Sequence, residues 1–274
     1  MSSILTNNGA MVALQTLKQI NTDLGKAQNA ISTGKDVASA KDNSAIWGIS
    51  KIMESDVAGF QAVSDSLSLG ESTVAVALAG AEQIVDILNQ MKEKVVAATG
   101  ENVDNAKITA DVNEMKAQIT SIISASQFNG ANLLNTAGGD ITVLSSLDRD
   151  AAGAVTAANI TVASVDFEAG LDLTTVDVST AAAADGSLDD IETLIQAAVD
   201  GAAALGASSK RISDQNVFVG KVTDAMKSGI GTLVDADMEA ASARLQALQT
   251  QQQLGVQALS IANQAPQTIL QLFR

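Results

Sequence analysis

Steps of three and four residues from Ile46 land on Ile49, Met53, Asp56, Phe60, Val63, Leu67, Gly70, Val74, Ala77, Ala81, Ile84, Leu88, Met91, Val95 and Ala98. Only Asp56 and Gly70 interrupt this apolar seam. The chain's single proline is Pro266, so nothing in the first 265 residues imposes the roughly 3 kcal/mol that proline costs a helix interior. A 3.5-residue period sustained this far predicts one helix of roughly 53 residues, about 80 Å long at 1.5 Å per residue. An ordinary globular helix is far shorter. Gly100 in "ATGENVDNA" ends it, and Val112, Met115, Ile119 and Ile122 begin a shorter helix that folds back alongside.

The same spacing returns late in the chain through Leu188, Ile191, Ile195, Ala198, Ala202, Leu205, Ser209, Ile212, Asn216, Val219, Thr223, Met226, Ile230 and Leu233. Gly229 and Gly231 are expected to loosen this helix before the seam restarts out of step at Met238, Ala241, Leu245 and Leu248. Near the start, Ala10, Ala13, Leu17, Ile20, Leu24, Ala27 and Ile31 form a third ladder that stops at Gly34. Between the long ladders, "ITVLSS" and "NITVASVDF" alternate with period two, so residues 139–180 read as strands and turns. The expected fold is mainly α: a long antiparallel coiled-coil helix bundle with both termini paired and a small β-rich central excursion. Ile46, Ile49, Met53, Phe60, Leu67, Ile84, Leu88, Met91, Ile191, Ile195, Ile212, Val219 and Met226 are the expected core.

Composition narrows the chemistry. The chain has no His and no Cys, which removes the commonest proton shuttle, the usual zinc ligands, thiol nucleophiles and disulfides. No catalytic residue, metal site or cofactor is expected. Net charge is −15, and Phe128–Asp200 holds twelve acids against Arg149 alone, which argues against nucleic acid as a partner. The opening "MSSILTNNGA" has neither a basic nor an apolar signal region, so no cleavable secretory signal is expected. No membrane-spanning segment is expected either, because Gln recurs through the uncharged C-terminal stretch.

Motifs that resemble chemistry have plainer readings. "STGKD" lacks the first Gly of a phosphate loop and places Asp36 where the hydroxyl belongs, so it reads as a helix-ending loop. Asp185, Gly186 and Glu192 fit the late positions of a calcium loop, yet Ala181 and Ala183 stand where ligands should be. Asn159-Ile160-Thr161 is a glycosylation triplet of a kind that arises by chance. Trp47 and Phe60 read as packing.

The ends of the chain differ from these. Leu245–Phe273 carries no charge in 29 residues, nine of them Gln. A helix pair showing mostly Ala and Leu on one stripe and amides elsewhere buries too little apolar area to hold itself ordered, so it needs neighbours. On the seam from Met238, Gln252 and Gly255 stand where a two-stranded coil would want Leu; glycine permits close helix approach.

Three segments resemble bacterial flagellin. "AMVALQTLKQINTDLGKAQNAISTGKDVASAKDNSAIWGIS" is similar to that family's N-terminal signature, "SQFNGANLL" to its post-helix turn, and "LVDADMEAASARLQALQTQQQLGVQALSIANQAPQTILQLFR" to its C-terminal signature. The resemblance extends over roughly residues 1–135 and 187–274 and is nearest to the short flagellins of alphaproteobacteria. It implies a structural subunit that polymerises helically into the extracellular flagellar filament used for swimming. The implied organisation is an inner coiled-coil domain of residues 1–40 with 235–274, a core helical bundle of 41–138 with 187–234, and a small exposed β-rich segment, 139–186. The implied inner layer comprises Leu17, Ile20, Leu24, Ile31, Leu245, Leu248, Leu254, Val256, Leu259, Ile261, Ile269, Leu270 and Leu272.

Implied partners are further copies of the chain and sister flagellins, the export apparatus with its chaperones, and the filament cap and junction proteins. Export without signal cleavage would reconcile the plain N-terminus with an extracellular product. The stretch "LNQMKEKVVA", which corresponds to the segment read by the flagellin-sensing Toll-like receptor, has Gln90, Lys94 and Ala97 in place of the family's residues and implies a weak response. The alternatives are a hook–filament junction protein, which shares flagellin-like ends, and a cytosolic helical scaffold or chaperone.

Overall fold

The computed structural model describes residues 7–150 and 152–272, with side chains described as far as Gln264. Six α-helices and four strands follow in the order α1 (Asn8–Thr33), α2 (Ser44–Ala98), α3 (Asn105–Ala125), β1 (Gln127–Phe128), β2 (Ala131–Asn132), β3 (Ile141–Arg149), β4 (Val155–Val162), α4 (Phe167–Gly170), α5 (Ala181–Val234) and α6 (Met238–Leu272). A 3-10 turn, Leu173–Thr175, lies between α4 and α5. Two compact units result: Asp56–Asp224 is one, and the described residues up to Ser55 with those from Ala225 onward are the other. Helices α2 and α5 each contribute residues to both.

Within Asp56–Asp224 the α2 seam is the spine of the core. Val63, Leu67, Val74, Ala81, Ile84, Leu88, Met91, Val95 and Ala98 are wholly shielded from water, as are Ile119 of α3 and Ile191 and Ile212 of α5. Val219 is also buried, while Phe60 and Ile195 pack half-buried against this cluster. Helices α2 and α5 run antiparallel, since Asn216 accepts from Ser64 at 2.7 Å and Lys92 pairs with Glu192 further along. Asn216 also donates to Ser68, which satisfies a polar side chain that interrupts the α5 ladder.

Both interruptions of the α2 seam are seats for the β3–β4 hairpin. Arg149, at the end of β3, donates from Nε to both oxygens of Asp56 at 3.1 and 3.2 Å. This paired contact raises the Arg149 pKa through the Asp56 hydrogen bond. Further along, Leu144 N–H donates to Ser66 Oγ at 3.2 Å, and Val143 lies so close to Gly70 that a Cβ there would come within 2.5 Å of its Cγ2. From Asp56 to Gly70 a helix rises about 21 Å, and from Arg149 to Val143 a strand covers about 20 Å. The strand and helix therefore stay matched along their whole contact. The paired strands shift register between Leu144 and Ser146, where one residue of β3 goes unpaired.

The post-helix turn is built by its own sequence. Asn129 and Gly130 take φ of 49° and 85°, the left-handed pair that a two-residue hairpin between β1 and β2 requires. The Asn132 side chain donates to Ile123 O at 2.7 Å and accepts from Leu134 N–H at 2.8 Å, fixing Leu133 and Leu134 in the core.

The structure corrects four sequence expectations. Ile49 is 53% exposed, and Ser50, its hydroxyl bonded to Trp47 O at 2.9 Å, is buried instead. The seam starts one residue late, through Ser50, Met53, Val57 and Phe60, and releases Asp56 to meet Arg149. Strand structure stops at Val162, leaving loop, α4 and the 3-10 turn where strands and turns were expected through residue 180. Helix α5 then begins seven residues before Leu188, because Thr180 Oγ1 accepts from Ala183 N–H at 3.1 Å and four alanines follow. Gly229 and Gly231 do not break α5, which runs on to Val234; the joint falls at Asp235–Asp237.

Two glycines separate packing from propensity. Gly70→Ala should destabilise the isolated subunit by about 1–3 kcal/mol by driving Val143 off α2. At Gly206, where an added Cβ meets nothing within 4 Å, Ala should instead stabilise by about 1 kcal/mol. Urea unfolding of the two monomeric variants would measure both signs.

Candidate assembly surface

Helices α1 and α6 form the second unit's main pair. Asn7 caps α1 by accepting from Ala10 N–H at 3.1 Å, and Gly34 ends it at φ 70°, which a residue with a Cβ adopts only at a cost. Asp237 caps α6 through Glu239 and Ala240 N–H at 3.0 and 3.1 Å. The helices run antiparallel, fixed by Asn7 Nδ2 to Ala262 O at 2.7 Å, Gln252 Nε2 to Asn21 Oδ1 at 2.6 Å, and Ala236 N–H to Gly34 O at 2.9 Å. Lys35 and Asp235 form a single antiparallel bridge, and Asp36 N–H donates to Val234 O at 2.8 Å. These bonds clasp the end of α1 to the joint before α6. Gly255 lies against Leu17, whose Cδ1 would sit 3.2 Å from an added Cβ, so glycine sets the approach of the helices.

The pair buries little. Within this unit Ala27, Val37, Val234 and Leu248 are the buried apolar side chains among the described residues, and Leu17, Ile20, Leu24, Ile31, Leu245 and Leu259 are half-buried. Ile46, Met53 and Met226 are also half-buried. Leu254, Val256 and Ile261 are exposed, Ile261 at 69%. The expected assembly residues thus split into those between α1 and α6 and those that α1 leaves uncovered. Ile269, Leu270 and Leu272 fall on α6, where side chains lie outside the described residues.

Sequence reasoning missed Met11, Val12 and Leu14, which are likewise exposed, Val12 at 64%. Their signal was present as large apolar residues lying off the Ala10–Ile31 ladder. A ladder search ranks such positions as surface, and in the single chain these apolar side chains are in water.

A cavity of about 600 Å³ opens at the opposite end of the pair, where α1 ends and α6 begins, lined by Asp23, Lys26, Asp36, Asp42, Asp237 and Arg244 among others. The Ser39 backbone N–H and hydroxyl hold the Asp42 carboxyl below its ordinary range, with Lys26 adding to the effect. A hydrogen bond from Lys51 does the same for Glu54. Asp42 and Glu54 are thus held toward the ionised form by donors three residues away. Here Asp42 accepts from Ser39, Asp237 caps α6 and Lys35 pairs with Glu54 at 3.8 Å; the described residues contain no cluster suited to hold a metal ion.

Comparison with known proteins finds matches at both ends of the chain. Residues 4–138 match the bacterial flagellin N-terminal helical region and residues 188–273 the bacterial flagellin C-terminal helical region. The chain is 43% identical to flagellin FljM of Caulobacter vibrioides over 277 residues, spanning 100% of this chain and 99% of that one. It is 42% identical to a flagellin of Brucella melitensis over 282 residues, spanning 100% of both. A crystal structure of Bacillus cereus flagellin aligns with a TM-score of 0.41 at 20% identity, covering 67% of this chain and 94% of that one, a distance at which it adds nothing. Full-length identity to filament subunits, with both terminal regions matched, leaves the junction-protein and cytosolic-scaffold readings without support. The chain belongs to the bacterial flagellin family and is a structural subunit that polymerises into the extracellular flagellar filament.

Proposed function

We propose that the α1–α6 pair forms the inner layer of the filament and gains its order from surrounding copies. The observation that carries this is the apolar surface the pair leaves open: Met11, Val12, Leu14, Leu254, Val256 and Ile261. Moving a fully exposed large side chain out of water contributes about 1.5–3 kcal/mol, so covering these partly exposed ones, several per subunit, works against the cost of fixing the pair in the lattice. Leu17, Ile20, Leu24, Ile31, Leu245, Leu248 and Leu259 hold α1 to α6 in this scheme, while Ile269, Leu270 and Leu272 extend the outward surface. Contacts of this kind are heterologous, one patch meeting a different patch on the next copy, and such contacts give open helices instead of closed rings.

Residues 1–40 with 235–274 then act as the inner domain, 41–138 with 187–234 as the core bundle, and 139–186 as the exposed segment. Export proceeds on the unfolded chain, without cleavage of a signal, under chaperones of the export apparatus. The subunit adds at the tip beneath a cap protein, above junction proteins, and beside sister flagellins. Support for this order of events comes from the family and from a chain with no cysteine to cross-link in transit. The departures at Gln90, Lys94 and Ala97 in "LNQMKEKVVA" leave the subunit a weak agonist of the flagellin-sensing receptor.

Ile261→Asp should leave the circular dichroism and unfolding midpoint of the monomer unchanged, because the side chain is already in water, while abolishing filaments seeded from fragments. Normal polymerisation of that variant would overturn the inner-layer assignment. Gly255→Leu should act differently, forcing Leu17 outward and raising the critical concentration roughly five- to hundredfold, the equivalent of about 1–3 kcal/mol of lost packing. Purified monomer should stimulate receptor reporter cells weakly, and a potent response would contradict the receptor reading.

A further inference from the structure

Two exposed patches of Asp56–Asp224 have opposite character. The first is on α5, where Val217 and Phe218 stand side by side, each 56% exposed. Phe218 is one of only five phenylalanines in the chain, and display of an adjacent aromatic and valine marks a contact surface more than a lone exposed Leu would. Arg211 and Lys221 flank them seven residues before and three after Phe218, on the same side of the helix, both exposed. Neither forms an ion pair among the described residues, whereas the intervening Asp214 is held by Lys210 at 2.6 Å. Residues 201–224 carry three bases, Lys210, Arg211 and Lys221, against two acids, Asp214 and Asp224, in a unit whose 24 acids and 8 bases leave it at −16.

The second patch lies where α2 turns into α3. Val96 is 52% exposed and Val103 42%, with the exposed carboxylates Glu93 and Glu101 beside them. Neighbouring lysines are already engaged, Lys92 with Glu192, Lys94 with Asp111 at 2.7 Å and Lys107 with Asp104 at 3.3 Å, which leaves Glu93 and Glu101 without an ion-pair partner among the described residues. Val96 and Glu93 share one side of α2 at the spacing of a helical turn.

We infer that these patches meet between copies of the chain, the Val217–Phe218 surface of one subunit seating the Val96–Val103 turn of another, with Arg211 and Lys221 facing Glu93 and Glu101. Apolar side chains occupy the centre and opposite charges the rim, the usual anatomy of a specific interface. The two patches cannot meet within one chain. Asn216 lies level with Ser64 and Ser68, and Val96 is about 45 Å further along α2, counted at 1.5 Å per residue. One surface fitted to a different surface on the next molecule is the contact that polymerisation requires. This inference rests on polymerisation and not on which residues form the inner layer.

The absence of native cysteine makes the test clean. Val96→Cys/Phe218→Cys subunits, assembled into filaments and treated with a short bis-maleimide, should give a ladder of covalent oligomers, whereas each single variant, and the double variant kept monomeric, should give none. Well-formed filaments without the ladder contradict this contact and leave the inner-layer reading standing. If the substitutions prevent assembly, hydroxyl-radical footprinting of unsubstituted protein decides: Phe218, Val96 and Val103 should lose most of their reactivity on passing from monomer to filament. Reactivity of Phe218 that is equal in both states overturns the inference. Failure of the unsubstituted protein to polymerise at all would count against the family function instead.

Discussion

Everything in the larger unit depends on burying the apolar seam of α2. A helix that long has no interior of its own, and its stripe stays in water unless other elements run the same distance beside it. Helices α3 and α5 supply most of that cover. Leu134 of the post-helix turn covers α2 at Gly80, and the β3–β4 hairpin lies over the stretch from Asp56 to Gly70 where strand and helix advance equally. Removing the side chain at position 70 and charging position 56 looks like damage to a coiled coil, but each is the contact that admits a strand onto a helix surface.

The unit formed by the chain ends has the opposite balance. Its helices are capped, aligned and clasped by hydrogen bonds, yet few of its apolar side chains are out of water. Hydrogen bonds traded against water return about 1 kcal/mol each, too little to offset the conformational entropy of two long helices. A pair so arranged has defined geometry and incomplete stability, which suits a subunit that has to remain soluble singly and become rigid in a polymer. The strongly acidic middle of the chain assists the first requirement by keeping free subunits apart. The basic, apolar surface around Phe218 is the local departure from that acidity.

Much of this architecture was legible in the sequence because periodicity is a direct record of which side faces a partner. The α2 and α5 seams could be read from residue spacing alone, whereas the short turn at Asn129-Gly130 came only with the resemblance of "SQFNGANLL" to a family's post-helix turn. Ile49 was misread because a ladder search prefers Ile to Ser, and the slip to Ser50 depends on Asp56 turning toward an arginine 93 positions later in the chain. The start of α5 was placed late since Ala181–Ala184 carry helix propensity and a Thr180 cap but no large apolar residue to mark a seam. Met11, Val12 and Leu14 escaped notice for the converse reason: they are apolar where the ladder predicts solvent. Side chains that pack against nothing within their own chain leave no periodic trace in it.

Amide hydrogen exchange, compared between dilute monomer and filament, addresses the dependence of the end helices on neighbouring copies most directly. Residues 8–33 and 238–264 should exchange far faster than the α2 seam in the monomer and become as slow as that seam once polymerised. Protection of α1 and α6 in the dilute monomer equal to that of α2 would contradict the account.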